Sequence, residues 1–154
     1  MSSTRVVRVI CAPRARVYRA LLDPAEVPRW LHPDGMRCEV HAFEPRVGGR
    51  FRISLTYEDP AFAGRGKSGG APDTFSGRFV ELVPDQCVVE TVEFESGDAA
   101  FRGGQRLIIT LTDTPGGTEL TWQHEGLPPG LKLEDNEAGT RMTLDRLASL
   151  VESS

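Results

Sequence analysis

Residues 133–151 read LEDNEAGTRMTLDRLASLV and carry the one long helical periodicity in the chain. Leu144, Leu147, Ala148 and Val151 recur at positions i, i+3, i+4 and i+7, which is the spacing of one face of an α-helix. Continued toward the N-terminus, the same face passes through polar residues. The pattern predicts a helix whose C-terminal half is anchored on an apolar surface and whose N-terminal half is polar.

The chain before this helix is dominated by β-branched or alternating runs, which predict strands. Proline suits the first turn of a helix, so short helices are predicted to begin at Pro13 and at Asp23-Pro24. The order is strand, two helices, six strands and a long helix, which predicts an α+β fold with helices on one face of an antiparallel sheet. The predicted strands cover residues 4–11, 38–43, 50–57, 74–83, 87–95, 106–112 and 119–125.

The composition is typical of a globular protein of one domain, spanning residues 1–154. Hydrophobic residues make up 39% and charged residues 26%, which argues against disorder. The net charge of −4 argues against a nucleic-acid partner. No apolar run approaches the roughly 20 residues that span a bilayer, so no membrane partner is predicted. The first residues lack a signal peptide's apolar core, which predicts a cytoplasmic location.

The residue types that most often hold metals or form covalent intermediates are widely scattered. Cys11, Cys38 and Cys87 are odd in number and form no CxxC pair, so they indicate neither a disulfide framework nor a zinc site. His32 and His41 lie in or beside predicted turns without a ligand at suitable spacing. The sequence therefore predicts no metal, no cofactor and no catalytic serine or cysteine.

Five stretches of the chain together resemble one known group of proteins. They read APRARVYRALLDPAEVPRWL (12–31), EPRVGGRFRI (44–53), FSGRFVELVPDQCVVETVEF (75–94), GTELTWQHEGLP (117–128) and EAGTRMTLDRLASLV (137–151). In this order they resemble the START-like (SRPBCC) superfamily, within it the group named for the activator of the heat-shock protein 90 ATPase. The resemblance implies a helix-grip fold, in which a curved antiparallel sheet wraps around a long C-terminal helix, with two short helices after the first strand. It also implies a deep cavity between sheet and helix.

The terminal helix departs from its relatives at one position. Relatives commonly carry a Gly-Trp pair where this chain has Gly139-Thr140. Thr140 lies four residues before Leu144 and hence on the same helical face. A threonine in place of an indole is expected to leave more room, or to require a polar partner, at one end of the cavity.

Residues 59–73, DPAFAGRGKSGGAPD, are predicted to form a loop. Part of it, AFAGRGKS (61–68), resembles a phosphate-binding loop. That pattern requires glycine where Ala61 stands and a helix after the loop, whereas a strand is predicted to follow. In the fold that the resemblance implies, the loop lies beside the mouth of the cavity and would suit a lid.

The inward faces of the predicted strands, together with the helices, define a candidate ligand site. An apolar pocket with a few polar groups is the usual form of a small-molecule site, although the same alternation is also expected of a solid core. Tyr57, His124 and Thr140 would orient the ligand, and Glu90 and Arg106 are further polar candidates near the lining. The predicted ligand-binding residues are Trp30, Phe51, Ile53, Leu55, Tyr57, Phe75, Phe79, Val92, Phe94, Ile109, Trp122, His124, Thr140 and Leu144.

Three functions fit these features. The first, which the sequence favours, is a non-catalytic protein that holds an apolar, aromatic or amphipathic small molecule between the sheet and the terminal helix. The second is an enzyme of the cyclase or hydrolase type in the same cavity, with His124 or a carboxylate as the base. The third is a module that assists a chaperone, which needs an exposed patch rather than a pocket. A homodimer formed through strand edges or loops is also compatible with the sequence.

Overall fold

The structure is a computed structural model that describes residues 3–58, 73–95, 100 and 103–153. The predicted order of a strand, two helices, six strands and a long helix is confirmed. The elements are β1 (Ser3–Ile10), α1 (Arg14–Leu22), α2 (Val27–Trp30), β2 (Met36–Phe43), β3 (Arg50–Tyr57), β4 (Asp73–Val83), β5 (Cys87–Phe94), β6 (Gln105–Thr114), β7 (Gly117–Glu125) and α3 (Leu133–Glu152).

The predicted boundaries agree with the structure to within a few residues, with one informative exception. The second short helix begins at Val27 instead of Pro24. Asp23 Oδ1 accepts a hydrogen bond of 2.9 Å from the Ala25 amide, and the Asp23 carbonyl accepts one from Glu26. Asp23 therefore closes a turn, as aspartate often does, and the helix starts only after it.

The strands form an antiparallel sheet in the order β1-β7-β6-β5-β4-β3-β2. Consecutive strands are neighbours from β2 to β7, whereas β1 lies beside β7 at the far edge. Register shifts between Val40 and Ala42 and between Phe79 and Glu81 bend β2 and β4. The result is a curled sheet whose concave face receives α3, so the predicted helix-grip fold of the α+β class is confirmed.

The helix α3 is anchored by its C-terminal half. Leu144, Leu147, Ala148 and Val151 are all at most 2% exposed and join the main apolar core. At its end, the carboxylate of Glu152 accepts a hydrogen bond of 2.8 Å from the Cys11 amide, just beyond β1. The predicted division of this helix into an apolar half and a polar half therefore has a structural counterpart.

Gly77 allows the curled strands to approach one another closely. A Cβ atom at this position of β4 would lie 1.7 Å from the Thr91 carbonyl oxygen and 2.7 Å from Phe51 Cζ. Neither distance is compatible with van der Waals contact, and the nearer atom belongs to the backbone of β5. Only glycine therefore fits at this position without moving a strand.

We expect Gly77→Ala to destabilise the protein by about 2–3 kcal/mol, because the sheet must shift to admit the methyl group. Gly139→Ala is the matched control, since a Cβ at Gly139 meets no atom within 4 Å. This helical change is expected to stabilise by about 0.5–1 kcal/mol. Urea unfolding of both variants measures the difference, and equal stabilities would contradict the packing described for Gly77.

Candidate functional site

A cavity of about 470 Å³ lies between the concave face of the sheet and the N-terminal half of α3. Strands β2 to β7 form its floor, and α1, α2 and the segment after α2 close one side. The cavity exists because α3 packs tightly only from Leu144 onward. Its lining is mostly aliphatic and aromatic, with a small number of polar groups.

The structure brings most of the predicted ligand-binding residues together around this cavity. Phe79 and Leu144 do not line it; they are 2% and 1% exposed and lie in the packed core. Phe79 falls at the bulge of β4, with its ring 5.4 Å from Phe43 and 5.3 Å from Phe51. The residues that line the cavity are Trp30, Phe51, Ile53, Leu55, Tyr57, Phe75, Val92, Phe94, Ile109, Trp122, His124 and Thr140. That any of them binds a ligand stays a prediction.

Several lining residues are absent from the predicted set. The inward-facing alternation of β5 and β6, which predicted Val92, Phe94 and Ile109, also includes Val88, Gln105 and Leu107. The sequence therefore contained the signal for these three residues. Asn136 and Asp34 carry no such signal, because their places depend on how α3 and the segment after α2 pack on the sheet.

Two indole rings form one wall of the cavity. Trp30 and Trp122 meet edge to face with their ring centroids 6.2 Å apart. Trp30 Nε1 donates a hydrogen bond of 3.0 Å to the Ala20 carbonyl, which fixes the ring of Trp30 against α1. The Trp122 ring also lies 6.2 Å from the His124 ring. The wall is therefore rigid and aromatic, as suits the binding of a flat apolar molecule.

His124 has the partner that the sequence could not locate. Asn136, in α3, lies with Nδ2 3.3 Å from His124 Nδ1, and the hydroxyl of Thr4 donates to Asn136 Oδ1 at 2.5 Å. With this amide orientation, Nδ1 accepts and the neutral imidazole carries its proton on Nε2. Burial lowers the pKa of His124 to about 4, against the opposing effect of the hydrogen bond with Asn136. The imidazole is therefore uncharged at neutral pH.

Glu90 is a carboxyl group with no counter-charge among the residues that the structure describes. It lies on β5 between the cross-strand neighbours Phe79 and Leu107, is half-buried and lines the cavity. No hydrogen bond or ion pair joins it to any residue that the structure describes. Burial raises the pKa of Glu90 from 4.5 to about 8. The carboxyl group therefore stays mostly protonated at pH 7.

Two buried donors that line the cavity also lack partners among the described residues. Within the described ranges, no acceptor lies within hydrogen-bonding distance of Gln105 Nε2 or Trp122 Nε1. Both side chains line the cavity, and they are 4% and 6% exposed. An unsatisfied buried donor costs about 1–3 kcal/mol, so each of these two groups lowers the stability of the folded protein.

Arg106 is the remaining polar candidate that the sequence placed near the lining. Arg106 is exposed on the outer face of β6, opposite Glu125, and does not line the cavity, which corrects its predicted place near the lining. The alternation of β6 explains this, because Arg106 stands between Gln105 and Leu107, which both point inward.

The predicted loop 59–73 lies outside the described residues except for Asp73, which begins β4 and lines the cavity.

Other reactive groups among the described residues offer no second site. Burial raises the pKa of Cys38 to about 12, which leaves it as an inert thiol. No group of three or more His, Cys, Asp or Glu residues in the described part of the chain could hold a metal ion. The chemistry that the described residues offer is thus concentrated in the cavity.

Comparison with known proteins agrees with the fold and the predicted resemblance. The chain belongs to the family of Activator of Hsp90 ATPase homolog 1-like proteins, whose model matches residues 11–152. Proteins of this family generally bind hydrophobic ligands, and the family is also linked to Hsp90. A search of the curated proteins finds no match.

Solved structures extend the comparison to the whole chain. A protein from Chromobacterium violaceum is 37% identical over 97% of this chain and 96% of its own, with a TM-score of 0.85. A protein from Mesorhizobium loti is 22% identical over 99% and 98%, with a TM-score of 0.76. A protein from Arthrobacter aurescens is 17% identical over 99% and 87%, with a TM-score of 0.80. At these lower identities, the last two support the fold alone.

In the described part of the chain, none of the helices has the length and apolar character needed to cross a bilayer.

We expect Glu90→Gln to stabilise the protein increasingly as the pH rises from 5 to 8. In the folded protein Glu90 keeps its proton up to about pH 8, whereas in the unfolded chain it loses that proton near pH 4.5. The parent protein therefore loses stability as the pH rises through this window, by at most about 1.4 kcal/mol per pH unit. The Glu90→Gln variant does not lose this stability, because its amide does not titrate.

Urea unfolding at pH 5 and pH 8 measures this effect. His124 contributes its own pH dependence between its folded pKa of about 4 and its unfolded value of 6.5, but this contribution is common to variant and parent and cancels in their difference. The matched control is Glu93→Gln, an exposed position on the outer face of the same strand. A pH-independent effect of Glu90→Gln would contradict a buried, protonated carboxyl group.

Proposed function

We propose that this protein binds an apolar or aromatic small molecule between the sheet and α3, with residues 1–154 acting as one ligand-binding domain. The supporting observation is the cavity of about 470 Å³, bounded by apolar side chains from most of the strands. Small-molecule sites are typically concave and about 300–1,000 Å³ in volume, with a few convergent polar groups. The cavity has that size and that mixture of groups.

The energetics of the lining favour such a ligand. Removal of apolar surface from water contributes about 25 cal/mol per Å². A molecule that buries about 200 Å² of apolar surface would gain roughly 5 kcal/mol before the entropic cost of association. Tyr57, His124 and Thr140 would orient it from three sides of the cavity. The indole wall formed by Trp30 and Trp122 would favour a planar body.

An enzyme in the same cavity is the second candidate, and one observation favours it. Glu90 and His124 face the same cavity with pKa values displaced in opposite directions, to about 8 and about 4. Such pairs often divide the roles of acid and base, here a protonated carboxyl group and a neutral imidazole. They flank Leu107 in one cross-strand row, so their backbones lie two strands, or about 10 Å, apart.

The two candidates differ in the fate of the bound molecule. A binding protein returns it unchanged, whereas an enzyme converts it. Incubating the extracted ligand with the parent protein and with His124→Gln, followed by mass spectrometry, separates them. Conversion by the parent protein alone would establish the enzyme.

The chaperone-assisting function has less support. The large hydrophobic side chains that are exposed in the described part of the chain are few, and they lie on β1, the turn before β3, β4 and the start of α3. They are Val7, Val9, Val47, Val80 and Leu133. A docking patch needs contiguous apolar surface, so these positions do not favour it over the cavity.

We expect Thr140→Trp to abolish ligand binding while leaving the fold stable. Thr140 lines the cavity and is 7% exposed, so an indole there fills the space that a ligand would occupy. Binding is measured with the uncharged fluorophore N-phenyl-1-naphthylamine, whose emission rises in apolar sites. Its affinity should fall at least tenfold, and thermal unfolding should change little.

Ser149→Trp is the matched control, because it places the same indole on the exposed side of the same helix. It should bind the fluorophore as the parent protein does. Unchanged binding by Thr140→Trp would place the site elsewhere. Failure of the parent protein to bind the fluorophore at all would count against an apolar ligand site.

A further inference from the structure

The charges around the cavity are of one sign. No Lys or Arg of the described residues lines it, whereas several acids do. Besides Glu90, the titratable groups that line it are Asp34 from the segment after α2, Tyr57 from β3, Asp73 from β4, His124 from β7 and Asp135 from α3. The electrostatic character of the cavity therefore depends on which of these groups is already paired.

Most of these groups are already engaged or stand near solvent. Asp34 pairs with Arg146 at 2.5 Å, and Asp135 is exposed in the first turn of α3. Tyr57 and Asp73 each interact with other residues, and His124 is held by Asn136. Glu90 differs, because it faces the cavity from the middle of the sheet with no partner among the described residues.

The surroundings of Glu90 favour a particular kind of partner. Cross-strand neighbours of Glu90 are Phe79 and Leu107, which offer it neither a donor nor a charge. Aromatic rings line the same cavity, including Trp30 and Trp122. The faces of such rings attract cations, most strongly when the site is shielded from water. A half-buried carboxyl group and several aromatic rings are together the elements of a site for an organic cation.

We propose that the ligand carries a basic nitrogen, with an apolar body that fills the cavity and an ammonium group that pairs with the carboxylate of Glu90. This inference rests on the proposed ligand-binding function and specifies the chemical class of the ligand. An anionic ligand would enter a cavity with no described cation to receive it, and an uncharged one would at most accept a hydrogen bond from the protonated form of Glu90.

The pairing involves a balanced proton transfer. In the empty cavity the carboxyl group is neutralised by its own proton, since its pKa is raised to about 8 by burial. When an ammonium group arrives, the O–H bond of Glu90 breaks, the proton passes to solvent and the carboxylate pairs with the cation. Affinity for an amine should therefore rise about tenfold per pH unit from pH 6 toward pH 8. His124 stays neutral over this range and does not contribute.

Three probes that share one ring system test the inference. They are 9-(aminomethyl)anthracene, 9-anthracenemethanol and anthracene-9-carboxylate, which present a cation, an uncharged hydroxyl group and an anion on the same body. Their dissociation constants for the parent protein are measured by fluorescence titration at pH 6, 7 and 8. At pH 8 the amine should bind at least tenfold more tightly than the alcohol, and the carboxylate at least tenfold more weakly.

Two variants assign the preference to one carboxyl group. Glu90→Gln should bring the amine to the affinity of the alcohol and abolish the pH dependence, while binding of the alcohol persists. Glu93→Gln, the control on the outer face of the same strand, should keep the preference of the parent protein. Persistent binding of the alcohol also shows that Glu90→Gln is folded.

The outcomes separate the inference from the function on which it rests. Equal affinities for the amine and the alcohol, or tightest binding of the carboxylate, would overturn the inference and leave the ligand site standing. A preference for the amine that survives in Glu90→Gln would also overturn it. If none of the three probes binds the parent protein, the proposed function itself fails.

Discussion

The structure depends on the packing of the C-terminal half of α3 against the concave face of the curled sheet. Leu144, Leu147, Ala148 and Val151 join the helix to the core, where they are almost completely buried. Burial of such side chains contributes about 1.5–3 kcal/mol for each large one, so this end of the helix is firmly placed. The helix is stiff, and its N-terminal half is therefore held away from the concave face of the sheet. The cavity is the consequence of anchoring a long helix at one end.

The polar groups acquire their character from that geometry. Asn136 lies in the part of α3 that spans the cavity, and it links the helix to His124 on β7 and Thr4 on β1. Asn136 thereby holds the ring of His124 in a fixed orientation, and burial keeps the imidazole neutral. Glu90 has no comparable partner among the described residues, and its own proton neutralises it. One cavity thus contains a satisfied polar group and an unsatisfied one, which is typical of sites where a ligand completes the interactions.

The fold could be predicted from local patterns, because alternation and helical periodicity are properties of neighbouring residues. The uneven stripe of residues 133–151 even indicated which half of the helix would pack. Most lining residues followed from the inward faces of strands, as for Phe51 and Trp122. The exceptions have physical causes: the ring of Phe79 is packed against those of Phe43 and Phe51 in the core, and Leu144 lies where helix and sheet have already met. The partner of His124 could not be predicted, since Asn136 reaches it only through the tertiary placement of α3.

The central claim is that the space beneath the N-terminal half of α3 is occupied by a small molecule in the cell. Native mass spectrometry of the protein purified from its own host tests this most directly. The account predicts a species heavier than the polypeptide by the mass of one small organic molecule, which denaturation releases. A native mass equal to that of the bare chain, together with no small molecule in the denatured extract, would contradict it.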